Sequence, residues 1–210
     1  MKTEFILRAA TAVNAAILTH EAEIESLDRA IGDGDHFINI RRGAGVILDM
    51  HDELATLTPD AVLQKIGMKL LSTIGGASGP LFGSFFLSMA KAVKEQGATS
   101  LPEIAAAFAA GVAAIQSRGK ADVGEKTMLD VLIPVSHTFC RLAAEGFERP
   151  ELFDVLKREA DQGLAATRDM IASKGRAAFL GDRAIGHLDP GAKTCQVIIH
   201  TLCDLAKEHS

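Results

Sequence analysis

The sequence contains neither Trp nor Tyr; its aromatic residues are 10 Phe. Together with many Ala and 19 Gly, this absence points to helices packed closely on small side chains. Cysteine is scarce. Cys140, Cys195 and Cys203 have neither metal-ligand nor redox spacing, which leaves them as reduced core thiols of a cytoplasmic protein. No basic run stands out and the net charge is −5, which argues against a nucleic-acid or anionic-membrane surface. No uninterrupted apolar run is long enough to span a bilayer. Glu4 and Arg8 interrupt the apolar N-terminus, so it does not read as a signal peptide. Strand patterns, internal repeats and an interdomain linker are also missing. What remains is one domain over residues 1–210, with 48% hydrophobic residues and enough length for a sizeable core.

Helical periodicity runs through the chain. A first helix carries Ile6, Val13, Ile17, Ile24, Leu27 and Ile31; a second carries Phe37, Ala44, Ile47, His51 and Leu54. Thr58-Pro59 starts a third, with Leu63, Ile66, Leu70 and Ile74 inward. After a Gly-rich break a fourth runs from about Leu81 to Gln96. Ser100-x-x-Glu103 is a capping box for a fifth. Met128, Leu132, Val135, Phe139 and Leu142 give a sixth, and Leu152, Leu156, Ala160, Leu164 and Ile171 a seventh. A long loop over 173–190 precedes an eighth, marked by Ile198, Leu202 and Leu205. Short connections favour antiparallel neighbours, so the expected fold is all-α: an eight-helix up-and-down bundle or barrel.

Chemistry concentrates in Asp28-Arg-Ala-Ile-Gly-Asp33-Gly-Asp35-His36. The periodicity places Asp28 on the last turn of the first helix. Gly32 and Gly34 end that helix through left-handed backbone angles, letting Asp33 and Asp35 fold back towards Asp28. An all-oxygen cluster of this kind suits Mg²⁺. It is not an EF-hand, because counting from Asp33 puts Ala44 where the bidentate Glu belongs. A solvated acidic turn of helix-stop residues stands beside the metal site as the second reading.

The connections after the first, third, fifth and seventh helices lie at one end of such a bundle, which favours a composite site there. Gly75-Gly-Ala77-Ser78-Gly-Pro80 opens a helix with small residues and free N–H groups, an arrangement suited to phosphate; a tight turn capped by Ser78 is the alternative. Neither this stretch nor Gly186-His-Leu-Asp189-Pro190-Gly191-Ala-Lys193-Thr194 is a Walker A loop. Lys174, Arg176 and Arg183 bring positive charge to the long loop. His36 reads as a cap, a nucleotide contact or a buried polar residue. His137 and His200 read as structural. Met128 reads as core filling or as packing for an adenine ring.

Gly32-Asp-Gly-Asp-His36, Gly75-Gly-Ala-Ser-Gly-Pro-Leu-Phe-Gly83, Ser117-Arg-Gly-Lys120, Gly124-Glu-Lys-Thr-Met128, Lys174-Gly-Arg176 and Gly186-His-Leu-Asp-Pro-Gly191 together resemble the nucleotide-binding L subunit of bacterial dihydroxyacetone kinases. The resemblance covers nearly the whole chain. It implies an eight-helix barrel with ADP, retained as a coenzyme, and two Mg²⁺ at one end. It implies Asp28, Asp33 and Asp35 as metal ligands, with Arg176 assisting transfer. His36, Phe37, Ile38, Asn39, Ala77, Ser78, Gly119, Met128, Arg176, Asp189, Pro190 and Gly191 would surround the nucleotide. Phe37 departs from the family, which often has Gly there, and its side chain would bear on nucleotide packing or a docking surface. The chain is short, as in the separate subunit of the phosphotransferase-system-dependent enzyme. The implied partners are a phosphohistidine carrier subunit and a dihydroxyacetone-binding kinase subunit. An ATP-dependent kinase for a related ketose such as erythrulose, and a nucleotide sensor that binds a transcriptional regulator, are the other two functions considered.

Overall fold

Ten α-helices and two 3₁₀ segments follow one another in the computed structural model of the chain, which describes residues 1–208. The helices are α1 (Thr3–Thr19), α2 (Glu21–Ile31), α3 (His36–Asp49), the single turn α4 (His51–Leu54), α5 (Pro59–Thr73), α6 (Ser78–Gln96), α7 (Leu101–Gly119), α8 (Leu129–Ala144), α9 (Arg149–Ala166) and α10 (Pro190–Lys207). The 3₁₀ segments are Thr167–Asp169 and Arg176–Ala184. No strand occurs among the described residues, and no helix among them is long and apolar enough to cross a membrane.

Eight helices form a closed ring of neighbours. α1 packs on α3 and α3 on α5; contacts then run in chain order from α5 to α10, and α10 returns to α1. α2 packs against α3, α10 and the second 3₁₀ segment. Phe82 joins three apolar clusters: one built mainly from α7 to α10, one from α1, α5 and α6, and a smaller one containing Ile17, Ile24, Phe37 and Ile40. Small residues let the helices approach. A Cβ on Gly163 would lie 2.3 Å from the Asp130 carbonyl oxygen, so α9 meets the α8 backbone without a side chain between them.

Several boundaries lie where local signals put them. α5 begins at Pro59 after Thr58, and the Ser100–Glu103 capping box is formed in full. Other expectations change. The first helix is two, α1 and α2, meeting at His20, whose ring and amide both bond the Ala16 carbonyl (2.8 Å and 3.1 Å). α6 starts at Ser78 rather than near Leu81, since Pro80 is tolerated in a first turn. Ile171 lies past the end of α9 and is exposed. The inner face of α10 centres on Cys195, Ile199 and Cys203, not on Ile198 and Leu202, which are only partly buried. Burial pushes the Cys195 and Cys203 thiols well above the ordinary range, so both behave as small hydrophobes.

Candidate functional site

Asp28 is buried on the last turn of α2, and its Oδ2 accepts the His36 amide N–H (2.9 Å) at the start of α3. The chain between them is a four-residue turn that returns Asp33 and Asp35 to Asp28. One oxygen from each of the three carboxylates lies within 4.8 Å of the others. Octahedral Mg–O bonds of about 2.0–2.1 Å put neighbouring ligand oxygens about 2.9 Å and opposite ones about 4.1 Å apart, so the three carboxylates draw together on an ion that they share.

Gly34 takes the left-handed backbone the turn requires (φ 79°). Gly32 does not: it is extended (φ −116°, ψ −152°), and a Cβ there would lie 1.8 Å from Asp28 Oδ1. Its smallness makes room for a ligand carboxylate.

Electrostatics fits a cation site. Burial raises the Asp35 carboxyl, and Asp33 adds to this through a hydrogen bond and like-charge repulsion; Asn39 opposes by bonding Asp35, and Asp28 contributes further repulsion. Arg176 Nε reaches Asp33 Oδ2 (2.7 Å) from the second 3₁₀ segment, bringing positive charge across the turn. His36 Nε2 lies 2.8 Å from Thr194 Oγ1, whose hydroxyl donates to the Pro190 carbonyl (3.0 Å), so the ring nitrogen is the donor in its own contact. Burial holds the imidazole below its ordinary value, against the pull of Asp28, Asp35 and the Pro190 carbonyl.

The expected shared end is present. Positions that a Cβ would take on Gly75 and Gly76 lie 3.5 Å and 3.7 Å from the Asn39 side chain, and the Gly76 position is 3.9 Å from Asp35 Oδ2. The start of α6 therefore adjoins the acidic turn. The N-cap residue, Ala77, has no side-chain oxygen, so the first-turn N–H groups of α6 lack a side-chain cap there. Met128 contacts the start of α10, its Cβ 3.6 Å from the Cβ position of Gly191. Ser173 Oγ donates to Glu125 Oε1 (2.7 Å), and Lys174 lies 3.8 Å from the same carboxylate, linking the 120–128 loop to the long loop.

The remaining expected positions are Phe37, Ile38 and Gly119. The Phe37 ring is buried among Ile17, Ile24 and Ile40, because α3 turns that position inward with Ile40. Its side chain, 2% exposed, therefore forms no docking surface. Ile38 is 53% exposed beside Arg41 and Arg42 in a shallow groove against Glu21 and Glu25. Gly119 ends α7 next to Leu81.

Asp189 caps α10, accepting from the Ala192 amide (2.7 Å). Burial pushes its carboxyl up to about 7, and Asp130 raises it further, against the Ala192 and Gly191 amides and Lys126. A folded-state value above the ordinary 3.9 or so means that the folded chain binds more protons than the unfolded one between about pH 4 and about 7. Stability from this group therefore falls as pH rises through that window. Asp189→Asn keeps the cap and removes the titration. Urea unfolding is expected to show the variant gaining on the unaltered chain between pH 5 and 8, by about 2–3 kcal/mol; parallel profiles would show that the Asp189 proton plays no part.

Sequence reasoning missed Lys126, Thr167, Asp130 and Thr194. All four are buried and polar, and apolar periodicity carries no signal for them.

The sequence model of the DAK2 domain family matches residues 30–204. The chain is 38% identical over 193 residues to the PEP-dependent dihydroxyacetone kinase, ADP-binding subunit DhaL, of Escherichia coli (strain K12), covering 91% of this chain and 92% of that protein. It is 38% identical over 192 residues to the PTS-dependent dihydroxyacetone kinase, ADP-binding subunit DhaL, of Lactococcus lactis subsp. lactis (strain IL1403), again covering 91% and 92%. Its structure is similar to the crystal structure of the dihydroxyacetone kinase from C. freundii in complex with AMP-PNP and Mg²⁺, with a TM-score of 0.72 and 26% identity. That match covers 94% of this chain and 33% of the longer kinase.

Proposed function

The chain belongs to the DAK2 domain family, and from that premise we propose that it is the ADP-binding subunit of a dihydroxyacetone kinase, relaying a phosphoryl group through bound ADP. The donor is a phosphohistidine of a carrier subunit, and the acceptor is dihydroxyacetone held on a partner subunit. One observation carries this reading: three carboxylates converge within 4.8 Å beside the start of α6, at the end of the ring where Arg176 and the start of α10 also lie.

Asp28, Asp33 and Asp35 would hold a pair of Mg²⁺, which when bound neutralise the β- and γ-phosphate oxygens during in-line transfer. The chain's own residues do the rest. Asp28 fixes the start of α3 through the His36 amide, so one carboxylate serves both the helix and the metal. The N–H groups at Ala77 and Ser78, at the start of α6, would donate to phosphate oxygens. Arg176, 68% exposed at its side chain, can leave Asp33 for a phosphate at small cost in solvent. Met128, against Gly191 at the start of α10, supplies an apolar contact for the base. On this reading the end of the ring is a coenzyme site whose phosphate end both partners would reach in turn.

Denaturing freshly purified protein, identifying released nucleotide by chromatography and counting Mg²⁺ tests this. Near-stoichiometric ADP with metal is the expected result. An empty chain that takes up ATP only when Mg²⁺ is added would move the reading to an ATP-dependent ketose kinase. No binding under either condition would reduce the acidic turn to a solvated helix stop.

A further inference from the structure

Lys126 is 1% exposed, and its backbone is left-handed (φ 59°), a conformation that glycine takes far more readily. The surrounding loop holds it there: the Asp130 carboxylate accepts the amides of both Gly124 and Thr127. The Lys126 ammonium donates to two backbone carbonyls, those of Thr167 and His187 (2.6 Å to the latter). These two carbonyls sit at opposite ends of the segment between α9 and α10. Next to them the segment closes on itself. The Gly186 amide donates to the Arg168 carbonyl (2.8 Å), and the Asp189 amide to Thr167 Oγ1 (3.1 Å). The middle of the same segment carries Arg176 to Asp33.

A charge this deeply buried is costly unless its hydrogen bonds are made. A buried Met would fill much of the same volume but leave the Thr167 and His187 carbonyls without this donor, with a desolvation cost for each, so the ammonium serves stability as well as position. What the ammonium provides is a fixed separation between two points of a segment of more than twenty residues.

We propose that Lys126 is a positioning residue for the nucleotide site, clamping both ends of the 167–189 segment so that Arg176 is delivered to the acidic turn. This rests on the nucleotide-binding reading above. The clamp acts on the segment's base and Arg176 acts at its tip, so the contribution of Lys126 to nucleotide affinity passes through Arg176.

A double-mutant cycle on ADP binding in the presence of Mg²⁺, followed by calorimetry on the intact chain, tests the clamp. Lys126→Met is expected to weaken ADP about tenfold, in the range of lost outer-shell support. In an Arg176→Ala background the same change is expected to cost less than twofold. A loss confined to melting temperature, with ADP affinity unchanged, would overturn the clamp; so would equal losses in both backgrounds. If the unaltered chain binds no ADP with Mg²⁺, the functional reading fails rather than the clamp. Lys126→Gln, which keeps N–H donors without the charge, is run alongside in case the Met variant does not fold. A second measurement needs no variant. In ¹⁵N-lysine spectra of the unaltered chain, the slowly exchanging buried ammonium is expected to shift on saturation with ADP and Mg²⁺. An unmoved signal at saturation overturns the proposal.

Discussion

Asp33→Asn is expected to remove Mg²⁺-dependent ADP binding while leaving the helices in place. The Asp33 side chain is 37% exposed and lies in a turn, so its replacement by an isosteric amide opens no cavity. The change is electrostatic. One of three converging carboxylates becomes neutral, and Arg176 loses its partner at 2.7 Å. Removing an outer-shell partner of a metal ligand costs 10–100-fold in affinity or activity, so losing the ligand's own charge is expected to exceed about 100-fold. Equilibrium dialysis with and without Mg²⁺ measures the effect, and circular dichroism checks the fold. Binding within threefold of the unaltered chain would show that the three aspartates are a solvated turn.

The aspartate cluster was legible because it is local. Spacings of five and two residues around a helix end leave a short turn few ways to close, and two glycines mark where it turns. The same holds for Thr58-Pro59 and for Ser100 with Glu103, where the signal and the boundary are the same few atoms. The rest depended on contacts that no local pattern contains. Lys126 is buried where its ammonium meets carbonyls just past α9 and shortly before α10, so its burial follows from segments distant in sequence coming together. In the sequence it stands within Gly124-Glu-Lys-Thr-Met128, with no local pattern to mark it as buried. Phe37 shows the complementary failure. It stands where the resembled family often has Gly, which suggested a side chain bearing on nucleotide packing or a docking surface; the rotation of α3 after the turn sends the ring inward, away from any docking surface. The α10 register was missed because cysteine does not stand out in an Ile and Leu pattern, although Cys195 and Cys203 are the buried positions. The shared end succeeded for a different reason. Alternation of helices is a topological fact that survives errors of several residues in each boundary.

Gly32→Ala is expected to have an effect of similar size on binding, by a steric route. Sequence alone explains a glycine after a helix by backbone freedom, but Gly32 is extended, a conformation open to any residue. Strain is therefore not its cost. A Cβ would lie 1.8 Å from Asp28 Oδ1, 2.9 Å from Asp28 Cγ and 2.8 Å from the Asp28 carbonyl oxygen. The side chain of Asp28 has to rotate away. Oδ2 then leaves the His36 amide, and the start of α3 keeps an unpaired donor at a cost of about 1–3 kcal/mol. The same movement takes one ligand oxygen out of the cluster, so Mg²⁺-dependent ADP affinity is expected to fall by about 100-fold or more. Gly45→Ala is the control: it sits in α3 with nothing within 4 Å of the added Cβ. It is expected to be neutral or to stabilise by about 0.5–1 kcal/mol. Titrating ADP into both variants, with urea unfolding in parallel, separates the two effects. Full affinity in Gly32→Ala, with only the stability loss, would mean that Asp28 serves the helix start and not the metal.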